Sequence, residues 1–218
     1  MIEVIKEIAG WNPVRGSMID DQKLKDNTKC ISYNELKSSD WEKVRYLYAR
    51  SGDRVNNQGR AGKGQLSGCY LSVNGTWLLL CGEERAQLMN AISRCGTNLV
   101  VLWAWDCGIE EADVSHLINL QVLDLARCSN LQRLYGAESL KKIKRLNLGG
   151  TKVNPIPDFS TMEQLEELSF WGIKNEQIEG FETLKNLREL SLSGSNIKEI
   201  PSSLRGVKTL RDLDLSSL

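Results

Sequence analysis

Apolar residues recur along this chain in one fixed frame. The frame is Leu-x-x-Leu-x-Leu, and its first apolar residue falls at positions 99, 120, 143, 165, 187 and 210, which gives a spacing of 21 to 23 residues. A fixed period in this range is the signature of a repeat architecture. The pattern therefore predicts a solenoid, an architecture that is mostly surface and whose usual work is binding.

Within one repeat the spacing of the apolar residues changes. When Leu187 is counted as position 1, Leu190 and Leu192 at positions 4 and 6 alternate with Glu189 and Ser191. This period of two predicts a strand with one buried face. From Ile178 to Leu187 the apolar residues are three apart instead, which predicts a 3₁₀-like or extended return segment. One such coil cannot bury both apolar rows, so neighbouring coils must stack into a continuous core.

The six regular repeats over 97–218 resemble the leucine-rich repeat superfamily. The resemblance implies a curved α/β solenoid, with parallel strands on the concave face and short 3₁₀, extended or helical returns on the convex face. Position 9 carries Cys107, Cys128 or Ser195 instead of the commoner asparagine. In this respect the repeats, of about 22 residues each, look similar to cytosolic plant-receptor-like or kinetoplastid leucine-rich repeat proteins.

The frame continues less regularly toward the N-terminus. Trp41, Val44 and Leu47 show the three-residue spacing, and Leu66 and Leu71 fit positions 1 and 6. With these two units we expect about eight parallel strands. The step from 66 to 99 is too long for one repeat, and its excess predicts a helix over 83–94.

These segments suggest a division of the chain. We expect an N-terminal cap over the first repeat, although a partner-binding helix is the alternative for the same segment. The last repeat stops at Leu218, so we expect either a C-terminal truncation or self-association through an exposed repeat edge. The expected parts are a capping segment over 1–40 and a repeat domain over 41–218, with an irregular loop over 54–64, a helical insertion over 82–96 and regular repeats over 97–218.

The amino-acid composition limits the expected cellular location and the expected classes of binding partner. Lysine plus arginine equals aspartate plus glutamate at 28 each, so there is no long-range attraction to nucleic acid or to anionic membrane. No apolar stretch approaches the length of a membrane span, and the N-terminus lacks the form of a secretion signal. Six cysteines without C-x-x-C spacing indicate reduced thiols. We therefore expect a cytoplasmic or nuclear protein.

The sequence offers no catalytic constellation, metal site or cofactor site. His116 is the lone histidine and has no cysteine pair near it. The segment Gly59 to Gly64 superficially resembles a phosphate loop but lacks the four-residue gap between glycines. We therefore expect a protein that is not an enzyme and holds no cofactor.

Positions 3, 5, 7 and 8 of each repeat should face the concave side, and the candidate binding residues lie at positions 3, 5 and 7. Aromatic residues crowd the early strands and carboxylates the late ones. Trp103 and Trp105 flank the inward Ala104, so we expect both to be exposed as interface anchors. The alternative is that the cap or the insertion folds over them. The candidates are Tyr46, Tyr48, Arg50, Tyr70, Trp103, Trp105, Asp124, Arg145, Trp171 and Glu189.

These features favour a non-catalytic interaction module that binds a protein or peptide, as a sensor, adaptor or scaffold. The first alternative is single-stranded nucleic acid, with aromatic residues stacking on bases and Arg50, Arg127 and Arg145 on phosphates. The second alternative is a regulatory or substrate-recognition part of a larger enzyme, such as a ubiquitin ligase.

Overall fold

The structure, a computed structural model, describes residues 29–31, 35–52, 65–73, 76–80 and 85–217. In these residues ten strands form one sheet and two strands form another. The strands are β1 (Lys29–Ile31), β2 (Val44–Gly52), β3 (Gln65–Val73), β4 (Thr76–Leu80), β5 (Val101–Trp105), β6 (Glu111–Asp113), β7 (Val122–Asp124), β8 (Arg133–Tyr135), β9 (Arg145–Asn147), β10 (Glu167–Ser169), β11 (Glu189–Ser191) and β12 (Asp212–Asp214). The helices are α1 (Ser38–Trp41) and α2 (Arg85–Arg94), with 3₁₀ turns at Ala137–Ser139, Phe181–Thr183 and Ser202–Gly206.

The main sheet confirms the predicted solenoid. Its strand order is β1-β4-β3-β2-β5-β7-β9-β10-β11-β12, and every pair from β2 to β12 in that order is parallel. The position-4 leucines are in register, so that Leu102, Leu123 and Leu146 lie one behind another. All three are fully buried. Each repeat therefore closes the apolar row of its neighbour.

The strand over 65–73 differs from the prediction. It was expected as one more parallel repeat, but β3 pairs antiparallel with both β2 and β4. A parallel neighbour needs a long crossover that packs on the sheet. The segment 53–64 is polar and glycine-rich, with only Val55 and Ala61 as apolar residues, so it lacks the apolar row of a convex return. Only two residues separate β3 from β4, a length that suits an antiparallel hairpin.

The convex side carries the predicted short returns and the predicted helix. The 3₁₀ turns fall where apolar residues are three apart, and Phe159 packs between Phe170 and Phe181 with ring centroids 5.6 and 5.7 Å away. Helix α2 buries Leu88 and Ile92 in the main core and contacts β3 and β6. The expected cap over 1–40 lies largely, and the expected loop over 54–64 entirely, outside the described residues.

Side chains just before position 1 tie four of the six regular repeats to the coil that precedes each in the sheet. The side-chain amides of Asn98, Asn119 and Asn186 donate to backbone carbonyls of the previous repeat at 2.8 to 2.9 Å. The hydroxyl of Thr209 makes the equivalent bond to Leu187. These bonds satisfy carbonyls between the coils and hold the repeats in register. In the part of the chain that the structure describes, no helix has the length and apolar character to cross a bilayer.

Because neighbouring repeats share one core, the stability lost when a leucine is truncated depends on which repeat carries that leucine. Leu146→Ala empties a fully buried position, so we expect the free energy of unfolding to fall by about 3 kcal/mol. Leu213, the same frame position in β12, is 43% exposed, so Leu213→Ala should cost less than about 1 kcal/mol. Urea unfolding followed by circular dichroism measures both. Equal losses in the two variants would contradict a core that is shared between neighbouring repeats.

Candidate functional site

The position-5 residues form one row across the concave face. Tyr70, Tyr48, Trp103, Asp124 and Asn147 are successive register partners on neighbouring strands. Because β3 is antiparallel and lies on the other side of β2, Tyr48 sits between Tyr70 and Trp103 instead of before both. The predicted face carries the side chains of Tyr48, Trp103, Asp124 and Asn147, because directly opposed residues share one side of a sheet.

Tyr48 and Trp103 are joined directly. Their rings stack with centroids 4.4 Å apart and an interplanar angle of 19°. Tyr48 is only 3% exposed and Trp103 is half-buried, so these residues are less exposed than expected. Trp103 packs in a small cluster around Val100 and Val101, separate from the main core. Offset stacking of this kind is worth about 1 kcal/mol beyond area burial.

Helix α2 does not cover these rings. Its buried residues Leu88 and Ile92 belong to the main core, on the side of the sheet that also buries Leu102. The Ile92 carbonyl accepts a hydrogen bond from His116 Nε2 at 3.1 Å, which ties the helix to the convex side. The alternative prediction, in which the insertion folds over these rings, is therefore wrong for helix α2. His116 has a structural contact here, and the described residues contain no group of His, Cys, Asp or Glu side chains that could hold a metal ion.

A second aromatic group lies at the edge of the face where the strands end. The Arg127 guanidinium carbon is 5.0 Å from the centroid of the Trp105 ring and 5.9 Å from that of Trp171. Both distances are within the range of cation–π attraction. Trp105, Arg127 and Trp171 come from the first, second and fourth regular repeats, so this row spans four coils. We call it the Trp–Arg–Trp row.

The backbone at Arg127 is left-handed, with φ of 59°. Position 8 has positive φ in every regular repeat, and glycine fills it at Gly150, Gly172 and Gly194. A residue with a Cβ pays roughly 1–2 kcal/mol for this conformation. Asp106, at the same position, belongs to the residue types that tolerate it best, whereas an arginine does not.

Two glycines make room for Trp171. A Cβ on Gly149 would collide with the Trp171 ring, and one on Gly150 would come within 2.6 Å of it. The ring therefore lies across the turn of the third repeat and reaches Arg127 beyond it. Gly149 has no positive φ, so steric space rather than backbone conformation requires glycine at this position.

Asp124 closes a turn in the interior of the face. One carboxylate oxygen accepts from the backbone N–H of Ala126 at 3.0 Å and the other from the Asn147 amide at 3.1 Å. Burial raises the pKa of Asp124, while these donors and the nearby Trp103 indole oppose the shift. The Trp103 N–H itself does not reach hydrogen-bond geometry. Asn147 accepts in the same way from Gly149 N at 3.1 Å. These position-5 side chains stabilise the turns that follow their strands.

The charged residues of the later strands are partly neutralised among themselves. Arg145 is 8% exposed and is ion-paired with Glu167. Glu189 is half-buried. Its pKa is raised chiefly by burial and then by repulsion from Glu167. Of Arg50, only the backbone register is described, opposite Trp105 on one side and Gly68 on the other.

Seven of the ten predicted residues fall into three groups. Tyr46, Tyr48 and Trp103 lie together, Trp105 and Trp171 meet through Arg127, and Arg145 and Glu189 border Glu167. Sequence analysis did not single out Gly149 and considered Arg127 only as a phosphate contact. The signal that marks Arg127 is an arginine at a position where half of the regular repeats have glycine.

Comparisons with known proteins agree with the repeat frame. Residues 186–207 match the family model described as Leucine Rich Repeat, which confirms the resemblance, while the plant or kinetoplastid subtype stays a prediction. A comparison with curated proteins found no match.

Several solved structures are similar to part of this chain. A leucine-rich repeat protein of Leptospira interrogans is 23% identical with a TM-score of 0.43, covering 57% of this chain and 38% of its own. The functional domain of InlJ from Listeria monocytogenes is 18% identical with a TM-score of 0.41, covering 55% and 30%. Internalin C2 of the same organism is 20% identical with a TM-score of 0.38, covering 58% and 65%. This chain therefore spans less than two thirds of each of these structures.

Filling the space at Gly149 should displace Trp171. In Gly149→Ala we expect a red shift of tryptophan fluorescence, because the ring leaves its half-buried place, and a loss of about 1 kcal/mol of stability from overpacking. The shift should be absent in a Trp171→Phe background. Gly206→Ala is the matched control, since its Cβ would lie 3.7 Å from the nearest atom. An unchanged spectrum in Gly149→Ala would contradict the described position of the ring.

Proposed function

We propose that this leucine-rich repeat chain is a non-catalytic interaction module that binds a protein or peptide on its concave face. The fold supports interaction with protein partners in general. The observation that carries the proposal is that Trp103, Trp105 and Trp171 lie half-buried along one face. Tryptophan is among the residue types most enriched in interface hot spots.

The size and chemistry of the face suit an extended partner. Seven parallel strands from β2 to β12, about 4.8 Å apart, give a face about 29 Å long. Aromatic rings lie toward β2, and the carboxylates of Glu167, Glu189 and Asp212 follow on β10 to β12. A peptide or a protein surface element can contact both regions, whereas a small metabolite cannot.

Nucleic acid fits this face less well. Arg145, one of the arginines considered for phosphate contact, is buried and ion-paired with Glu167. The neighbouring carboxylates would repel a phosphate backbone, and the net charge of zero supplies no compensating attraction.

A reducing compartment, the cytoplasm or the nucleus, is the proposed location. Cys69, Cys95, Cys107 and Cys128 are buried free thiols. Burial raises the pKa of Cys95 to about 12, and a hydrogen bond with Cys128 together with burial raises the pKa of Cys107, so both thiols stay protonated and unreactive. These properties suit a structural role for the cysteines in a reducing environment.

Removing the tryptophans should remove binding. When immobilised chain captures proteins from a cell extract, the Trp103→Ala/Trp105→Ala variant should retain at least ten-fold less of any partner than the unmodified chain, because truncating a hot-spot tryptophan costs about 2 kcal/mol or more. Quantitative mass spectrometry measures the retained protein, and circular dichroism checks the fold.

The matched control is Tyr135→Ala, which removes an aromatic residue that is 46% exposed on convex strand β8. It should capture the same proteins as the unmodified chain. Retention of the partners by the double tryptophan variant would reject the concave-face assignment. Nuclease-sensitive capture with a steep salt dependence would favour nucleic acid instead.

A further inference from the structure

We propose that Arg127 is the specificity residue of this face and that it binds a carboxylate, the side chain of an aspartate or glutamate in the partner. The inference rests on the proposed function and adds the chemical class of residue that the partner must present. It is carried by three observations: an unpaired charge, its aromatic surroundings and its backbone.

The positive charge of Arg127 has no anionic partner in the described part of the chain. The ion pairs there involve other cations, which are Lys43, Arg133, Arg145, Arg188 and Lys198. The Arg127 side chain makes its contacts with the two tryptophan rings, and the residue is exposed. Arg145, by contrast, is buried and already neutralised by Glu167. Of the arginines on this face whose side chains the structure describes, Arg127 is therefore the one that keeps its charge for a partner.

The two rings position the guanidinium. Trp105 lies on one side of Arg127 along the array and Trp171 reaches it from the other, across Gly149 and Gly150. A ring holds a guanidinium by its flat surface and does not use its N–H donors, so those donors stay available. Such restraint lowers the conformational entropy that a bound ligand would otherwise have to remove.

The left-handed backbone conformation at Arg127 indicates that its side chain has a function. A glycine at position 127 would adopt the left-handed conformation without penalty, as Gly150, Gly172 and Gly194 do at the same position. An arginine there reduces stability, and strained residues of this kind cluster at functional sites. We infer that the guanidinium offsets this loss of stability by binding a partner, and not by a contribution to folding.

A carboxylate is the anion that fits best. The planar fork of arginine matches a carboxylate with two parallel hydrogen bonds. The single charge of Arg127, on a face whose strands also carry Asp124 and Glu167, suits a singly charged group better than a doubly charged phosphate. The flanking tryptophans would contact apolar residues next to the acidic one. The partner segment is therefore expected to carry an aspartate or glutamate with an apolar neighbour.

The test uses random dodecapeptides displayed on phage and selected on the whole chain. One library has its C-terminus fused to the coat protein and the other has a free C-terminus, so that side-chain and terminal carboxylates are distinguished. We expect the fused library to enrich peptides with an acidic residue. A selected peptide is then synthesised in its Asp form and in its Asn form, or Glu and Gln, and both are titrated against the chain by fluorescence anisotropy.

The expected result is a double-mutant cycle centred on Arg127. The Asp-to-Asn change should weaken binding at least ten-fold on the unmodified chain, and less than two-fold on Arg127→Gln. Arg133→Gln, which removes the same charge on convex strand β8, should bind like the unmodified chain. Arg127→Gly should resist urea at least as well as the unmodified chain yet bind as weakly as Arg127→Gln, which separates loss of binding from loss of folding.

Other outcomes overturn the inference in distinguishable ways. If peptides are enriched without acidic residues, or if Arg127→Gln binds them within two-fold of the unmodified chain, the proposed function stands and the role of Arg127 is rejected. Enrichment from the free C-terminus library alone replaces the side-chain carboxylate with a terminal one, and rejects the inference as stated. If neither library is enriched, the proposed peptide-binding function is contradicted as well.

Discussion

The structure depends on one constraint: a single repeat cannot bury its own leucines. Leu146 is fully buried only because Leu123 and Leu168 stand in register on either side of it. The buried row forces the parallel arrangement of strands, and the asparagine bonds between coils maintain the same register. Where the row ends, at Leu213 in β12, the leucine is exposed. Stability in this molecule is therefore a property of neighbouring repeats more than of single ones.

The same constraint creates the surface that we propose for binding. Because alternate residues of a strand face opposite sides, a buried Leu102 requires Trp103 to face away from the core. The register then aligns Trp103 with Tyr48, and their rings stack. The tight turn after each strand brings position 8 to the edge of this surface. Arg127 occupies that position and adds, next to two tryptophan rings, a positive charge that has no ion-pair partner among the residues the structure describes.

Much of the fold was predictable because it repeats, and most of the errors lie where it does not. The leucine frame predicted the parallel strands, and the long step between repeats predicted helix α2. The prediction of a parallel β3 was wrong, because the spacing of its apolar residues matched the repeat period while the segment before it lacked an apolar return. The burial of Asp124 was missed because it depends on donors from Ala126 and Asn147, one of them in the next repeat.

The sequence by itself determined the periodic features: which residues face the core, where the strands recur and which edge of each strand bears a turn. These follow from local alternation and from hydrophobic burial, both of which can be read along the chain. Only the tertiary structure decided which side chains meet across repeats. Trp171 reaches Arg127 over the space that Gly149 leaves, and these residues are separated by one or two whole repeats. Lateral contacts of this kind depend on side-chain length and on local vacancies, and the repeat pattern encodes neither.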